Sequence, residues 1–184
     1  MTFLIWNVRG LNDPMKQSSV TKVIRKLKVE VVCLLETRVK IGNLGSIVSS
    51  RFRDWTFVNN YSAAVNGRIW LLYRGGWKVE VLHCSDQVIT CLFEFGEDVF
   101  YFSIVYACNG REDRKRLWLD LINYRSRVGS RPWILAGDFN IIRCPQESSD
   151  YDGIQTVSGA MRDFQDCQEI LDVVDHPFIG ALFT

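Results

Sequence analysis

Residues Pro132-Trp133-Ile134-Leu135-Ala136-Gly137-Asp138-Phe139-Asn140 form an apolar run that ends in glycine and then presents two polar side chains. The run predicts a buried β-strand, and Gly137 allows the backbone to turn closely where the strand ends. If the extended conformation continues, Asp138 and Asn140 lie on the same side of the chain. A carboxylate and an amide that leave a strand together can hold a water molecule, a metal ion or a phosphate oxygen. An Asx-type turn accounts for these residues equally well, so this stretch alone leaves both interpretations open.

Two other apolar runs end in the same way. The run FLIW leads into Asn7, and the run VVCLL leads into Glu36. An acid directly after five apolar residues is expected at the rim of a sheet, although an ordinary ion pair with Arg38 in solvent is the alternative. If the three strands are neighbours, their ends bring Asn7, Glu36, Asp138 and Asn140 into one oxygen-rich cluster. Oxygen donors without His or Cys favour Mg²⁺ or Mn²⁺ over zinc.

Short apolar runs rich in β-branched and aromatic residues predict eight strands. These are Thr2–Val8, Glu30–Glu36, Trp55–Asn60, Arg68–Arg74, Trp77–His83, Val88–Phe95, Val99–Tyr106 and Trp133–Ala136. Helical spacing predicts three helices, over residues 20–27, 117–128 and 161–171. Because the helices come before and after a hairpin-rich middle section, the order predicts a mixed α/β sandwich with helices on its outer faces. The length and the absence of a linker predict one domain over residues 1–184.

The charges are distributed unevenly although the formal net charge is only +1. Residues 111–131 contain seven Arg or Lys against three acids, whereas residues 138–175 contain nine Asp or Glu against two Arg. A basic stretch beside an acidic one suits a site that holds a metal ion and takes a polyanion. A solvated helix face is the more common cause of such a run.

The cysteines and the hydropathy pattern predict an intracellular protein. The six cysteines lie far apart, without a C-x-x-C pair, and are interpreted as reduced core residues. No apolar run approaches the roughly 18 residues that a membrane span requires. The opening MTFLIW lacks a basic region before it and is interpreted as a first strand, not as a signal peptide.

Four motifs together resemble the endonuclease/exonuclease/phosphatase family, whose fold is DNase I-like. They are WNVRGLN at residues 6–12, LLETR at 34–38, VYACN followed by RxxLW at 105–118, and PWILAGDFN at 132–140. Their order and spacing most resemble the endonuclease domain of plant LINE-type (non-LTR) retrotransposons, from residue 1 to residue 184. The resemblance implies a four-layered α/β sandwich of two mixed β-sheets flanked by helices. It also implies Mg²⁺-dependent hydrolysis of a phosphodiester, with DNA as the substrate.

The resemblance also implies roles for the strand-end residues. Glu36 would ligate the metal ion, with Asn7 beside it. Asp138 would orient the attacking water and help to deprotonate it, and Asn140 would hold Asp138 and the phosphate. A metal ion that polarises a phosphoryl oxygen and a fixed carboxylate that aims the nucleophile are a consistent pair.

Three further positions are implied to contact the substrate. Tyr106 and Asn109 would contact the scissile phosphate, although Tyr106 taken alone fits a strand aromatic whose hydroxyl points outward. Arg9 stands where some family members carry an acid that helps to bind metal, which favours one-metal chemistry here. Arg9 would contact DNA phosphate, and a surface arginine is an equally good interpretation.

The family pattern continues beyond what this sequence contains. Members end with a strand that bears Asp and an S-D-H segment, whereas this sequence ends in GALFT, with Thr184 at a family position near the phosphate. Neither His83 nor His176 has the matching context, and His176 is interpreted as a loop residue. The chain is therefore expected to be truncated, with its last strands missing and one sheet edge open. Losing one electrostatic stabiliser of a transition state typically costs roughly 10²–10³ in rate.

Three hypotheses for function follow. The first is an endonuclease domain that nicks DNA, impaired by the loss of the Asp-His segment and nuclear if functional. The second is a non-catalytic remnant that at most binds metal or nucleic acid. The third keeps the chemistry but changes the substrate to abasic DNA or to lipid or inositol phosphates. No membrane association and no obligate protein partner are expected.

Overall fold

The computed structural model describes residues 2–177 and residue 179. The elements are β1 (Phe3–Asn7), α1 (Pro14–Leu27), β2 (Val31–Leu35), α2 (Ile41–Arg51), β3 (Thr56–Asn59), β4 (Ile69–Tyr73), β5 (Lys78–Cys84), β6 (Val88–Phe95), β7 (Asp98–Tyr106), α3 (Arg111–Val128), β8 (Trp133–Asp138) and α4 (Gly159–Leu171), with a short 3₁₀ turn at Pro145–Glu147. All eight predicted strands and the three predicted helices are present. The fold class, α/β with two mixed sheets and a DNase I-like topology, is confirmed. The closing stretch GALFT, at residues 180–184, lies outside the described residues.

Helix α2 was not predicted from the sequence. Its eleven residues include Gly42 and Gly45, which have low helix propensity, and Ile47 is its one buried residue. A helix with so narrow an apolar stripe leaves little periodic signal.

The backbone contacts group the chain into two compact units. The first contains residues 1–106 and 130–138, with all eight strands and helices α1 and α2. The second contains, of the described residues, 107–129, 139–177 and 179, with helices α3 and α4. The prediction of one domain over the whole chain stays a prediction.

The first unit contains two mixed sheets with the orders β1-β2-β4-β3 and β5-β6-β7-β8. Strands β1 and β2 are parallel, and helix α1 forms the crossover that a parallel pair requires. Strands β7 and β8 are also parallel, while the other pairs are antiparallel. Parallel pairs place the carboxyl ends of their strands at the same edge of the sheet.

Strand β2 lies at the centre of the first unit and is buried on both faces. One set of its side chains packs with Ile24 of α1 and Ile47 of α2, and the alternate set packs against the second sheet. Aromatic side chains fill the space between the sheets, for example Phe3 against Phe102, with ring centroids 5.3 Å apart. This packing fixes the ends of β1 and β2 relative to β7 and β8.

Helices α3 and α4 pack together in the second unit. Trp118 of α3 stacks on Phe164 of α4 at 5.3 Å, and Phe139 completes the aromatic cluster. Arg111 forms two hydrogen bonds with Asp163 at 2.7 and 2.9 Å. Among the residues that the structure describes, no helix combines the length and the apolar character needed to cross a membrane.

Candidate metal and phosphate site

Three strand ends meet in the first unit. The parallel register places Asn7 opposite Leu35, so that Glu36 follows at the same edge, and it places Tyr106 opposite Asp138. The Asn7 amide nitrogen donates a 2.7 Å hydrogen bond to Asp138 Oδ2, which joins the end of β1 to the end of β8. The structure therefore brings Asn7, Glu36, Tyr106 and Asp138 to one edge.

The backbone beyond β1 and β2 adopts left-handed conformations that non-glycine residues rarely take. The φ angles are +47° at Arg9, +55° at Glu36 and +51° at Arg38. Each such residue costs of order 1–3 kcal/mol and persists only where other contacts determine it. Hydrogen bonds from Gly10 N to Glu36 O and from Glu36 N to the Arg68 carbonyl, both 2.7 Å, supply such contacts. The backbone at Glu36 is thus held in its left-handed conformation by hydrogen bonds from both neighbouring segments.

Glu36 lies at the rim of the sheet and also pairs with Arg38, so it combines the two interpretations that the sequence left open. Its carboxylate does pair with Arg38, but the Glu36 side chain is only 12% exposed while that of Arg38 is 68% exposed. An ion pair to such an exposed arginine contributes little to stability. The Arg38 guanidinium can therefore leave, whereas the Glu36 carboxylate stays at the rim of the sheet.

Gly137 determines how Asp138 is placed. A Cβ atom at Gly137 would lie 1.9 Å from the Val105 carbonyl oxygen, and φ there is +149°. Only glycine lets β8 approach β7 this closely at that point. Gly137 was predicted to allow a close turn. In the structure it allows β8 to pair closely with β7, one residue before Asp138.

Tyr106 lies between charged groups and does not point into open solvent. Burial raises the pKa of its phenol, and the Glu36 carboxylate raises it further. Arg68 acts in the opposite direction, since its guanidinium donates a hydrogen bond to the Tyr106 side chain and lies 4.7 Å from the ring centroid. The net effect is upward, so the phenol stays protonated and available as a donor at neutral pH.

Arg68 is a site residue that reasoning from the sequence missed. It directly precedes β4, whose first residue, Ile69, pairs with Leu35 at the end of β2. A charged residue at the start of an antiparallel neighbour of β2 is the signal that could have identified it. Using that signal requires the strand order, which the sequence did not give.

The side chains at this edge offer oxygen donors, which are the ligands that Mg²⁺ requires. Within residues 2–177 and 179 no group of three or more His, Cys, Asp or Glu could hold a metal ion. The edge offers two carboxylates, Glu36 and Asp138, and the amide oxygen of Asn7, which also accepts a 3.0 Å hydrogen bond from Arg9 N. Mg²⁺ is commonly held by one or two carboxylates together with waters and substrate phosphates, so this set fits it. The nitrogen and sulfur ligands of a structural zinc site are absent from it.

Arg9 is exposed, and its carbonyl oxygen accepts a 3.2 Å hydrogen bond from Lys16 Nζ. Its position beside Asn7 is compatible with both interpretations, a DNA contact and a surface arginine. His83 belongs to β5, and His176 is exposed in an irregular segment. Thr184 lies outside the described residues.

Asn109 and Asn140 belong to the second unit. The strand ends at Asp138, and Asn140 has a left-handed φ of +50°. The extended conformation that would have placed the side chains of Asp138 and Asn140 on the same side of the chain therefore does not continue. The Asn140 amide nitrogen instead donates to the Ala107 carbonyl oxygen at 2.6 Å. This bond ties Asn140, two residues after the end of β8, to the loop that contains Asn109.

Arg114 holds the Asn109 loop from inside the second unit. It is 4% exposed, and its Nη1 donates to the carbonyl oxygens of Cys108 and Asn109 at 2.8 and 2.6 Å. Burial lowers the pKa of its guanidinium. The basic run over residues 111–131 is therefore not a uniform solvated face, because Arg114 is buried and Arg125 donates to the Leu171 carbonyl oxygen at 2.9 Å.

Comparisons with known proteins agree with this fold. The endonuclease domain of TRAS1, a telomere-specific non-LTR retrotransposon, matches with a TM-score of 0.66 and 11% identity over 92% of this chain and 71% of that one. A truncated Caenorhabditis elegans TDP2 matches with a TM-score of 0.60 and 14% identity over 82% of this chain. The human Nocturnin catalytic domain matches with a TM-score of 0.51 and 16% identity over 76% of this chain and 64% of that one.

This chain spans 50–66% of the length of the first TDP2 structures that it matches. A search of curated proteins finds no match. The sequence matches the model of the Endonuclease/Exonuclease/phosphatase family over residues 4–169, which is most of the chain. The chain with its strand-end carboxylates therefore belongs to the endonuclease/exonuclease/phosphatase family.

Proposed function

We propose that this chain is a Mg²⁺-dependent phosphodiesterase domain that nicks DNA, as an endonuclease domain of a non-LTR retrotransposon. The observation that carries the proposal is the 2.7 Å hydrogen bond from Asn7 to Asp138, at the edge where Glu36 follows the last residue of β2. The family supports the phosphoester chemistry. A solved TDP2 complex contains a single-stranded DNA product, and TRAS1 is a retrotransposon endonuclease, which together support DNA as the substrate class.

Glu36 and Asn7 would hold Mg²⁺ or Mn²⁺. When bound, the ion supplies a Lewis acid that polarises a phosphoryl oxygen and offsets its charge. The Glu36 carboxylate would give up its ion pair with Arg38 at small cost, because Arg38 is mostly exposed. The left-handed backbone at Glu36, with a φ of +55°, would help to keep this carboxylate at the strand end.

Asp138 would accept a proton from the attacking water. The 2.7 Å hydrogen bond from Asn7 to Oδ2 holds this carboxylate at the strand end. A carboxylate fixed by an amide donor loses rotational freedom and aims its remaining lone pairs. Asn7 thus serves as a positioning residue for Asp138 as well as an oxygen donor.

Tyr106 and Arg68 would bind the phosphate oxygens. The phenol stays protonated because burial and Glu36 raise its pKa, so it can donate to an oxygen that gains negative charge. The Arg68 guanidinium lies over the Tyr106 ring and adds a permanent positive charge beside that donor. Arg9, Asn109 and Asn140 remain proposed contacts of the DNA backbone, and a nuclear location follows only if the domain acts on nuclear DNA.

Nicking of supercoiled plasmid tests the proposal. Wild type with Mg²⁺ is expected to convert supercoiled to open-circular DNA, and EDTA is expected to stop the conversion. Asp138→Ala and Glu36→Ala should each lose roughly 10²-fold or more of the rate. Glu80→Ala, which removes an exposed carboxylate from β5, is the matched control and should retain it.

Two results would contradict the proposal. Nicking that persists in both strand-end variants would mean that the site is wrongly assigned. Absence of nicking by the wild type on intact and on abasic plasmid would refute DNA cleavage by this chain and favour a non-catalytic binding domain.

A further inference from the structure

A second cluster of charge lies in the first unit, at the opposite end of β2 from the carboxylates. A cleft of about 110 Å³ is lined by four arginines, called here the arginine cleft: Arg25, Arg51, Arg53 and Arg74. Arg74 follows Tyr73, which pairs with Val31 at the start of β2, whereas Glu36 follows the last residue of that strand. Five residues of strand separate the two positions by roughly 15 Å, so the cleft is not part of the site described above.

The positive charge of the arginine cleft is not neutralised by the protein. Asp54 is the single acid that lines it. In the part of the chain that the structure describes, none of the four arginines forms an ion pair with a carboxylate within 4.0 Å. The polar contacts of Arg51 with Gln17 and of Arg74 with the Val29 carbonyl are long, both 3.4 Å. Four positive charges against one negative charge leave the cleft at +3.

The negative ends of two helix dipoles neutralise only part of this positive charge. Arg25 lies in the last turn of α1 and Arg51 in the last turn of α2, where a cation complements the helix dipole. Each helix end carries the equivalent of about half a negative charge. Two such ends reduce the cleft from +3 to roughly +2, and Arg53 and Arg74 lie outside any helix.

Part of the cleft is organised before any ligand binds. The Arg74 guanidinium lies 4.5 Å from the centroid of the Trp55 ring, which fixes its plane and leaves its N–H edges available. The turn that carries Arg53 is closed by a 3.0 Å hydrogen bond from Trp55 N to the carbonyl oxygen of buried Phe52. Preorganised donors lose less conformational entropy on binding an anion.

We propose that the arginine cleft binds a tetrahedral phosphate-type oxyanion, supplied either by free phosphate or by the backbone of a nucleic acid. The volume of about 110 Å³ corresponds to roughly three or four water molecules, which is the scale of one phosphate group. Guanidinium groups bind such oxygens through paired N–H donors. The proposal does not depend on the nuclease activity, because none of the four arginines belongs to the carboxylate edge.

Inorganic phosphate titrated into the full chain tests the proposal by ¹H–¹⁵N NMR, with ionic strength held constant by chloride. The Trp55 indole signal, assigned from Trp55→Phe, is expected to shift and saturate. Arg53→Gln/Arg74→Gln should weaken the apparent affinity about tenfold or more, because it removes two charged hydrogen-bond donors from the cleft. Lys22→Ala/Lys40→Ala removes two positive charges from outside the cleft and should leave the affinity unchanged.

A short DNA duplex is titrated in a second experiment, which distinguishes free phosphate from a nucleic-acid backbone as the source of the oxyanion. If the backbone is the source, DNA shifts the same indole signal, and the double variant lowers the slope of log K against log salt by about 2. A shift with phosphate and none with DNA assigns the cleft to free phosphate. No saturable shift with either ligand, or equal affinities in the cleft and control variants, overturns the proposal. Should the double variant not fold, Arg53→Gln alone changes one exposed side chain and answers the same question.

Discussion

Replacing Gly137 with alanine tests the strand pairing that places Asp138. The added Cβ would lie 1.9 Å from the Val105 carbonyl oxygen, whereas a close C···O contact is about 3.3 Å, so β8 or β7 must move by about 1.4 Å. Overpacking of this kind costs about 1–3 kcal/mol, and the positive φ adds about 1–2 kcal/mol. The expected loss of about 2–5 kcal/mol is a large part of the 5–15 kcal/mol typical of a domain.

Gly96→Ala is the matched control for Gly137→Ala. Gly96 lies in the same unit at the β6–β7 turn, has a φ of +60°, and would have no atom within 4 Å of its Cβ. Its replacement therefore carries only the backbone cost of about 1–2 kcal/mol. Urea unfolding followed by tryptophan fluorescence measures both variants. If Gly137→Ala is no less stable than Gly96→Ala, β8 does not approach β7 as the structure describes and the reasoning fails.

Three other predictions concern individual side chains. Tyr106→Phe should lower plasmid nicking at least about tenfold at every pH from 6 to 9, because the raised pKa keeps the phenol protonated throughout; a loss that appears only above pH 9 would contradict this role. Arg114→Met should lower the free energy of unfolding by about 3 kcal/mol through two lost hydrogen bonds to carbonyl oxygens, whereas exposed Arg116→Met should change it by less than about 0.5 kcal/mol in urea unfolding. Burial raises the pKa of Cys91 and of Cys167 to about 12, so neither thiol should react with iodoacetamide at pH 8 until the protein unfolds. Each thiol stabilises the folded state below its unfolded pKa near 8.5, and stability should fall by at most about 1.4 kcal/mol per pH unit per thiol as the pH rises from there towards 12.

The strands were predictable because each carries a continuous or alternating apolar run. The run Val88–Phe95 was predicted with the bounds that the structure has, and β8 extends only two residues beyond its predicted end at Ala136. The polar residues that end such runs were also visible, since Asn7 and Glu36 interrupt apolar sequence abruptly. Their meeting follows from two parallel pairs, β1 with β2 and β7 with β8, whereas the residues alone predicted it only on the condition that the three strands are neighbours.

Features that depend on tertiary contacts were not predictable. Arg68 reaches Tyr106 because β4 pairs antiparallel with β2, and neither residue stands near the other in sequence. The left-handed φ of Asn140 depends on its 2.6 Å hydrogen bond to the Ala107 carbonyl oxygen, a partner 33 residues away. Arg114 resembles its exposed basic neighbours in sequence, yet it is buried by its contacts within the second unit.

Paramagnetic Mn²⁺ titrated into ¹⁵N-labelled protein tests most directly whether the ends of β1, β2 and β8 form one cation site. The ion is expected to broaden amide signals of residues 7–9, 36–38 and 138 first, and Glu36→Gln should remove this broadening. The acidic helix α4, with Asp163 and Glu169, is the internal comparison, because acidic surfaces attract cations without a formed site. Broadening that begins in α4, or that is unchanged by Glu36→Gln, would contradict the assignment of the strand ends as the metal site.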